Sequence, residues 1–204
     1  MNTTDDLLRD LFRERAEPPE HMARLRDRLA SAAQADGILD VAYRTVDSPI
    51  GPLLIAATEV GLARVAFARE DHDAVLQELC DRISPRVLHA ARRLDPVARE
   101  LGEYFAGGRH DFDLPLDWRL SAGFRGTVLH HLADIAYGHT ASYAAVAQLA
   151  GNPKAVRAVG TACATNPMPI VVPCHRVVRS DGSIGNYRGG AEAKHALLAL
   201  ESQG

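Results

Sequence analysis

Cys174 and His175 stand side by side in the run Pro169-Ile-Val-Val-Pro-Cys-His-Arg-Val-Val178. A thiol reacts as its thiolate, and a free cysteine of pKa about 8.5 holds only a few per cent of that form near neutrality. The imidazole beside it and the guanidinium of Arg176 are the kinds of group that could raise that fraction. The apolar stretch Ile170 to Val172 reads as a buried strand whose ladder Pro173 ends, so the pair is expected at a strand end. Taken alone, the pair also fits a small buried hydrophobe next to a surface polar residue.

Two helices upstream would have to position that pair. Thr140-Ala-Ser-Tyr143 leads into a short helix through Leu149, and Gly151 breaks it. Asn152-Pro153 then reads as cap and first-turn proline of a helix running through Arg157 to about Cys163. Two short helices joined by a glycine-bearing turn fit a helix-turn-helix, whose second helix enters a DNA groove, and they also fit a plain packing pair. Lys154 and Arg157 favour a polyanion, while Ala155, Ala158, Ala162 and Ala164 keep the second helix slim enough to approach a backbone or a base. A helix from Ser121 to about Ala136 precedes this pair, and one from Gly189 to Glu201 follows the cysteine.

Composition narrows the class. A chain of 204 residues, 47% hydrophobic and 24% charged, can build a real core. No apolar run approaches the roughly 20 residues needed to span a bilayer, and the acidic start lacks a signal-peptide layout, so a cytoplasmic protein is expected. Cys80, Cys163 and Cys174 are too few and scattered for a disulfide framework, and no ligand spacing suggests zinc. From Leu120 onward there are seven Lys and Arg against four Asp and Glu, although the whole chain is at −3. Only the second half is therefore suited to a polyanion.

The first half supplies strands. Residues 1–37 read as a helical arm, with Leu7, Leu8, Leu11 and Phe12 on one helix and Met22, Leu25 and Leu29 along one side of the next. Val41 to Val46, Leu53 to Ala57 and Leu62 to Ala68, separated by turn residues, predict an antiparallel meander. Asp71 to Ile83 is predicted helical, and Asp95-Pro96 is read as cap and first-turn proline of a helix ending at Gly107-Gly108. Phe112 to Leu116 is a last strand or an extended linker. Nothing in residues 41 to 117 has a catalytic arrangement, and His72, His89 and His110 read as surface residues.

Five blocks in order, Ser142-Tyr143, Gly151-Asn-Pro-Lys-Ala-Val-Arg-Ala-Val159, Asn166-Pro167, Ile170 to Val178 and Gly185-Asn-Tyr-Arg-Gly-Gly190, resemble the O6-alkylguanine-DNA alkyltransferases. The resemblance is dense over residues 120 to 201 and looser from residue 41. It implies an α+β fold: a small antiparallel-sheet domain of ribonuclease H type over residues 41–117, then a helical winged-helix, helix-turn-helix domain over residues 120–204. It implies single-turnover transfer of the alkyl group from O6-alkylguanine, and from O4-alkylthymine, in double-stranded DNA to Cys174. No cofactor, metal or membrane is implied, and the protein is expected to be a monomer, with cooperative loading on DNA left open. By the same resemblance His175 draws the thiol proton through a water, Glu201 orients the histidine, and Asn166 braces the active-site turn. Tyr143 crowds the 3′ phosphate and can donate a proton toward the departing guanine. Arg157 fills the stack vacated by the flipped base, and Lys154, Ala155 and Ala164 lie on the DNA-facing helix. Val177, Tyr187, Arg188 and Gly189 form the base pocket, where the carbonyls of Cys174 and Val177 read the guanine amino group.

The chain departs from the family pattern at Leu129, where a tryptophan is usual, and at Gly126, expected to loosen its helix. Ala164 stands where some relatives carry an extra arginine, a loss Arg188 is expected to offset in part. The alternative function is a lesion sensor that flips the base without accepting the group, but such proteins lack the cysteine present here as Cys174. A thiol hydrolase or redox protein is a second rival, and it should turn over repeatedly and ignore DNA.

Overall fold

The computed structural model describes residues 19–202, so the helix expected over residues 4 to 16 lies outside the described residues. Helix α1 (Pro19–Ala35) leads into the sheet. Its Met22, Leu25 and Leu29 share one side as read from the sequence but are exposed, and the helix docks near its C-terminal end through the buried Ala30 and Ala33. Small residues there allow close approach, which long side chains would prevent.

Strands β1 (Val41–Val46), β2 (Leu53–Ala57) and β3 (Leu62–Phe67) pair antiparallel as the alternating turn residues predict. A fourth strand, β4 (Val87–His89), joins the other edge of β1 in parallel, giving the order β3-β2-β1-β4. The sheet is therefore mixed rather than purely antiparallel. The parallel return is possible because α2 (His72–Arg82) supplies the long crossover such a connection requires. The Asp71 carboxylate caps α2 by accepting from the amides of Asp73 and Ala74.

Strands β2 and β3 are buried along their whole lengths because both faces of the sheet are covered. Leu54, Ala56 and Ala66 pack on Val75 and Leu79 of α2. Leu53, Ile55, Val65 and Phe67 face α3 (Asp95–Phe105), which presents Val97, Leu101 and Tyr104 at helical spacing. Pro96 sits in the first turn as expected, but Asp95 is already helical and does not cap. Residues 112–116 form a linker joined to the sheet by one bridge, Leu116 to Leu62. The buried Glu100 steadies that linker by accepting from the Asp113 amide at 2.9 Å. His72 and His89 are half-buried rather than at the surface.

The second half contains α4 (Gly123–Ala133), β5 (Ala141–Ser142), α5 (Tyr143–Leu149), α6 (Val156–Ala164), β6 (Val177–Val178) and α7 (Ala191–Glu201). Ser142 caps α5 by accepting from the Ala145 amide at 3.1 Å. Gly151, at φ +77, makes the left-handed break between α5 and α6. Helix α6 starts at Val156 without a side-chain cap, so Asn152 and Pro153 belong to the preceding turn and not to the helix start read from the sequence. Strand β5 pairs with β6 in parallel, and Val178 bridges back to Ile184 to form a small wing.

Gly126 permits contact rather than loosening its helix: a Cβ there would lie 2.5 Å from the Ser121 carbonyl oxygen. Leu129 is fully buried, filling the core where the family pattern has a tryptophan. That core is continuous, running from β2 and β3 through α3 into α4, α5, α6 and α7, and Cys174 is part of it.

Candidate active site

The segment before the cysteine is a turn, not the strand its composition suggested. Pro169 and Val172 bridge across Ile170 and Val171, Ile170 adopts φ 77, and Cys174–Arg176 form a single 3-10 turn. Its apolar character reports burial, which a turn inside a core needs as much as a strand does. The turn is tied to the sheet through Pro167, whose carbonyl accepts from the Val65 amide at 2.8 Å and from Arg64 Nη1 at 3.3 Å. Cys174 is 1% exposed and His175 0%.

Asn166, just past the end of α6, holds the sulfur. Its Nδ2 donates to the Val172 carbonyl at 2.8 Å and to Cys174 Sγ at 3.2 Å, while Oδ1 accepts from the Met168 amide at 3.0 Å. Burial pushes the Cys174 thiol up to about 11, against the opposing effects of the Asn166 hydrogen bond and the Lys194 charge. Arg176, expected as an activator, does not serve the sulfur. Its Nη1 donates to the Ile135 carbonyl at 2.5 Å, and its Nε and Nη2 bind Glu201, both at 2.9 Å. The cation that acts most on the thiol is Lys194, 0% exposed, whose Nζ donates to the Val177 carbonyl at 2.5 Å, with a smaller effect from Arg188. Burial lowers the Lys194 pKa, and the neighbouring Cys174 and Cys163 sulfurs partly oppose that.

Glu201 is the node of the buried polar network. Its Oε1 accepts from Tyr104 Oη at 2.7 Å, His175 Nε2 at 2.8 Å and Arg176 Nη2, and its Oε2 from Arg176 Nε and the Gly138 amide at 3.3 Å. Burial alone would raise this carboxyl, but hydrogen bonds from His175, Arg176 and Tyr104 hold it at about 2. Burial lowers the pKa of His175 in spite of Glu201, so the ring is neutral near neutrality. With Nε2 donating to the carboxylate, Nδ1 is the basic nitrogen, buried and without a protein partner among the described residues.

Around this centre lies the loop after the wing. Tyr187 is buried, its ring 5.5 Å from Phe67 and 6.4 Å from His175 between centroids, both edge-on. Gly185 lies so close to Tyr143 that a Cβ would come within 2.3 Å of the phenol oxygen. Gly189 leaves room in the same way for the Phe67 ring, at 2.8 Å. Arg188 Nε pairs with Glu70, which also holds the buried Arg64 at 2.5 Å, so Arg188 is engaged within the fold rather than turned wholly to DNA. The carbonyls of Cys174 and Val177 already accept from the Val177 amide and Lys194, and each retains a second lone pair.

The fold thus gathers Cys174, His175, Asn166, Glu201, Tyr143, Val177, Tyr187, Arg188 and Gly189 around one point. Lys154, Arg157 and Ala164 are exposed and Ala155 is half-buried, on and just before α6, whose inner face is Val159, Ala162 and Cys163. Sequence reasoning missed Lys194, Tyr104 and Glu70. The first two carried a signal: Lys194, Leu197 and Glu201 share a face of α7, and Tyr104 lies on the apolar stripe of α3, where a buried hydroxyl needs a partner. Glu70 carried none for its link to the pocket loop, because Arg188 lies far along the chain, although its other partners, the Phe67 amide and Arg64, are local.

Among the described residues no group of His, Cys, Asp and Glu could hold a metal ion, and no helix is long and apolar enough to cross a membrane. The ribonuclease-like domain of 6-O-methylguanine DNA methyltransferase matches residues 41–118, and the DNA-binding domain of that family matches residues 123–203. The methylated-DNA–protein-cysteine methyltransferase of Mycolicibacterium paratuberculosis is 40% identical over 161 residues, spanning 79% of this chain and 92% of its own. The constitutive methylated-DNA–protein-cysteine methyltransferase of Bacillus subtilis is 37% identical over 163 residues, with 78% and 94% covered. In three dimensions the chain is similar to Mycobacterium tuberculosis O6-methylguanine methyltransferase, with a TM-score of 0.68 at 37% identity over 80% and 93% of the two chains. It is equally similar to Mycobacterium tuberculosis OGT in complex with DNA, at 0.68 and 37% over 79% and 93%.

Proposed function

The chain belongs to the 6-O-methylguanine DNA methyltransferase family, and from that premise we propose that it repairs O6-alkylguanine in duplex DNA by moving the alkyl group onto Cys174. The observation that carries this reading is the buried series Glu201, His175, Cys174 with Asn166 on the sulfur. Glu201 fixes the ring with Nδ1 as acceptor, and Nδ1 takes the thiol proton through one bridging water. The thiolate attacks the alkyl carbon in line. An S–C bond forms, the C–O bond breaks, and its electron pair leaves with guanine. Guanine takes up one proton, delivered from Tyr143, whose phenolate is reprotonated through solvent as the His175 imidazolium gives up the proton taken from the thiol, and the thioether is stable, so each molecule acts once.

Because O6 lies in a paired, stacked base, the nucleotide must first leave the helix, at a cost of a few kcal/mol that a damaged pair reduces. Arg157, exposed on α6, fills the vacated stack, and Lys154 contacts phosphate. Tyr187, Arg188 and Gly189 close over the base, and the free lone pairs of the Cys174 and Val177 carbonyls accept from its amino group. O4-alkylthymine is a second substrate, the protein works as a monomer on chromosomal DNA in the cytoplasm, and the functional division is 1–37, 41–117 and 120–204.

The test is to incubate the protein with a duplex containing O6-methylguanine and weigh it. A gain of one methyl on the Cys174 peptide, limited to one per molecule and lost in Cys174→Ala with DNA binding retained, is the expected result. Binding of the lesion without any mass gain would point instead to a sensor, and repeated turnover to a hydrolase.

A further inference from the structure

The half of the molecule that carries no DNA-facing helix reaches the catalytic carboxylate. Tyr104 is fully buried on α3, with its ring packed edge-on against Phe105 and Tyr137 and tilted against Phe112. That packing leaves its hydroxyl aimed at Glu201 Oε1, at 2.7 Å, the same oxygen that accepts from His175 Nε2 at 2.8 Å. Resting on the alkyl-transfer reading above, we propose that Tyr104 is a positioning residue for the reaction. It fixes the rotamer of Glu201 and competes with His175 for its charge, and so sets how basic Nδ1 is when it takes the thiol proton.

The chemistry supports a permanent donor. Burial, and then the Glu201 charge, hold the Tyr104 phenol far above its ordinary range, so it stays protonated at any working pH. The other groups facing the His175–Glu201 pair are Arg176 from the 3-10 turn, Tyr137 from the stretch after α4, Tyr187 from the pocket loop, and Lys194 and Cys174 beside the ring. Arg176 binds both carboxylate oxygens and fixes the charge. Tyr104 is the neutral donor on the oxygen that His175 uses, and can therefore tune the shared bond without changing the net charge.

Two changes at one position test this with opposite signs. Tyr104→Phe keeps the ring and removes the donor, leaving more of the carboxylate to His175. The His175 titration, followed by nitrogen-15 NMR of the ring, and the acid limb of the transfer rate should both move up by roughly half to one pH unit. Below that limb the rate falls by about threefold to tenfold. Difluorotyrosine at position 104, a more acidic phenol and stronger donor, should move both downward. Shifts in these directions support the proposal whatever happens to the plateau rate. Superimposable profiles, or any rate loss that follows the melting temperature alone, overturn it. The ring titration is read without DNA, so absence of methyl gain in the unmodified protein would remove the transfer reading while leaving the role of Tyr104 decided by NMR.

Discussion

Replacing Glu201 with glutamine should lower stability by about 3 kcal/mol near neutral pH, and that loss should fade on acidification. Two routes give the figure. A carboxyl held at about 2 in the folded chain against an ordinary 4.5 corresponds, at 1.36 kcal/mol per pH unit, to about 3 kcal/mol. Independently, removing one partner of a buried ion pair costs about 3–5 kcal/mol, and Arg176 is only 4% exposed. The sign follows from the depressed pKa: the stabilisation is complete above about pH 4.5 and is lost as pH falls toward 2. About 2 kcal/mol of it is gone by about pH 3. Urea denaturation of both proteins from about pH 7 to about pH 3 measures the difference. Taking the difference cancels Asp40, Asp117 and Asp181, which are also depressed and would otherwise blur the curve. A gap that stays flat across this range, or one below about 1 kcal/mol at neutrality, would refute the claim that this carboxylate anchors the network.

Asn166→Ala strands the buried Met168 amide and frees the sulfur, while the Val172 carbonyl keeps the Cys174 amide, so the change should cost about 1–3 kcal/mol, read by denaturation, with slower alkyl transfer. Lys194→Met removes the stronger of the cations acting on the sulfur. Transfer near neutral pH should drop about tenfold and recover partly as pH is raised, with no loss of melting temperature, since burying that charge is itself costly. Lys154→Ala should leave stability unchanged and make the salt dependence of DNA binding shallower by about one. Arg157→Ala, also exposed, should slow lesion capture and leave transfer from an already unpaired base within about twofold, as stopped-flow fluorescence would show.

The resemblance of the second half made Cys174, His175 and Asn166 legible from the matching blocks and Glu201 from its place in the last helix, and the structure brings the four together. Local readings fared less evenly. The run Ile170 to Val172 looked like a strand because periodicity over three apolar residues cannot separate a strand from a buried turn. Asn152-Pro153 has the chemistry of a helix start, yet the chain spends two more residues, Lys154 and Ala155, in the turn before α6. Strand β4 has three half-buried residues, too short to show alternation, and its parallel partner is forty-six positions away in register. Lys194 and Tyr104 went unread for a different reason. Helical spacing put each on an inward face, but which groups they would meet there depends on elements distant in the chain.

The outer margin of β3 is already occupied along the main chain. The Leu62 amide and carbonyl bond to Pro115 and Asp117, and the Val65 amide bonds to Pro167 beside the active-site turn. At the opposite margin β4 offers only three residues. Neither border can template a strand from another molecule, the usual route by which sheets stick to one another. Among the described residues, this four-stranded sheet therefore gives a second copy of the chain no free border to extend, and any neighbour on a duplex would have to meet it elsewhere.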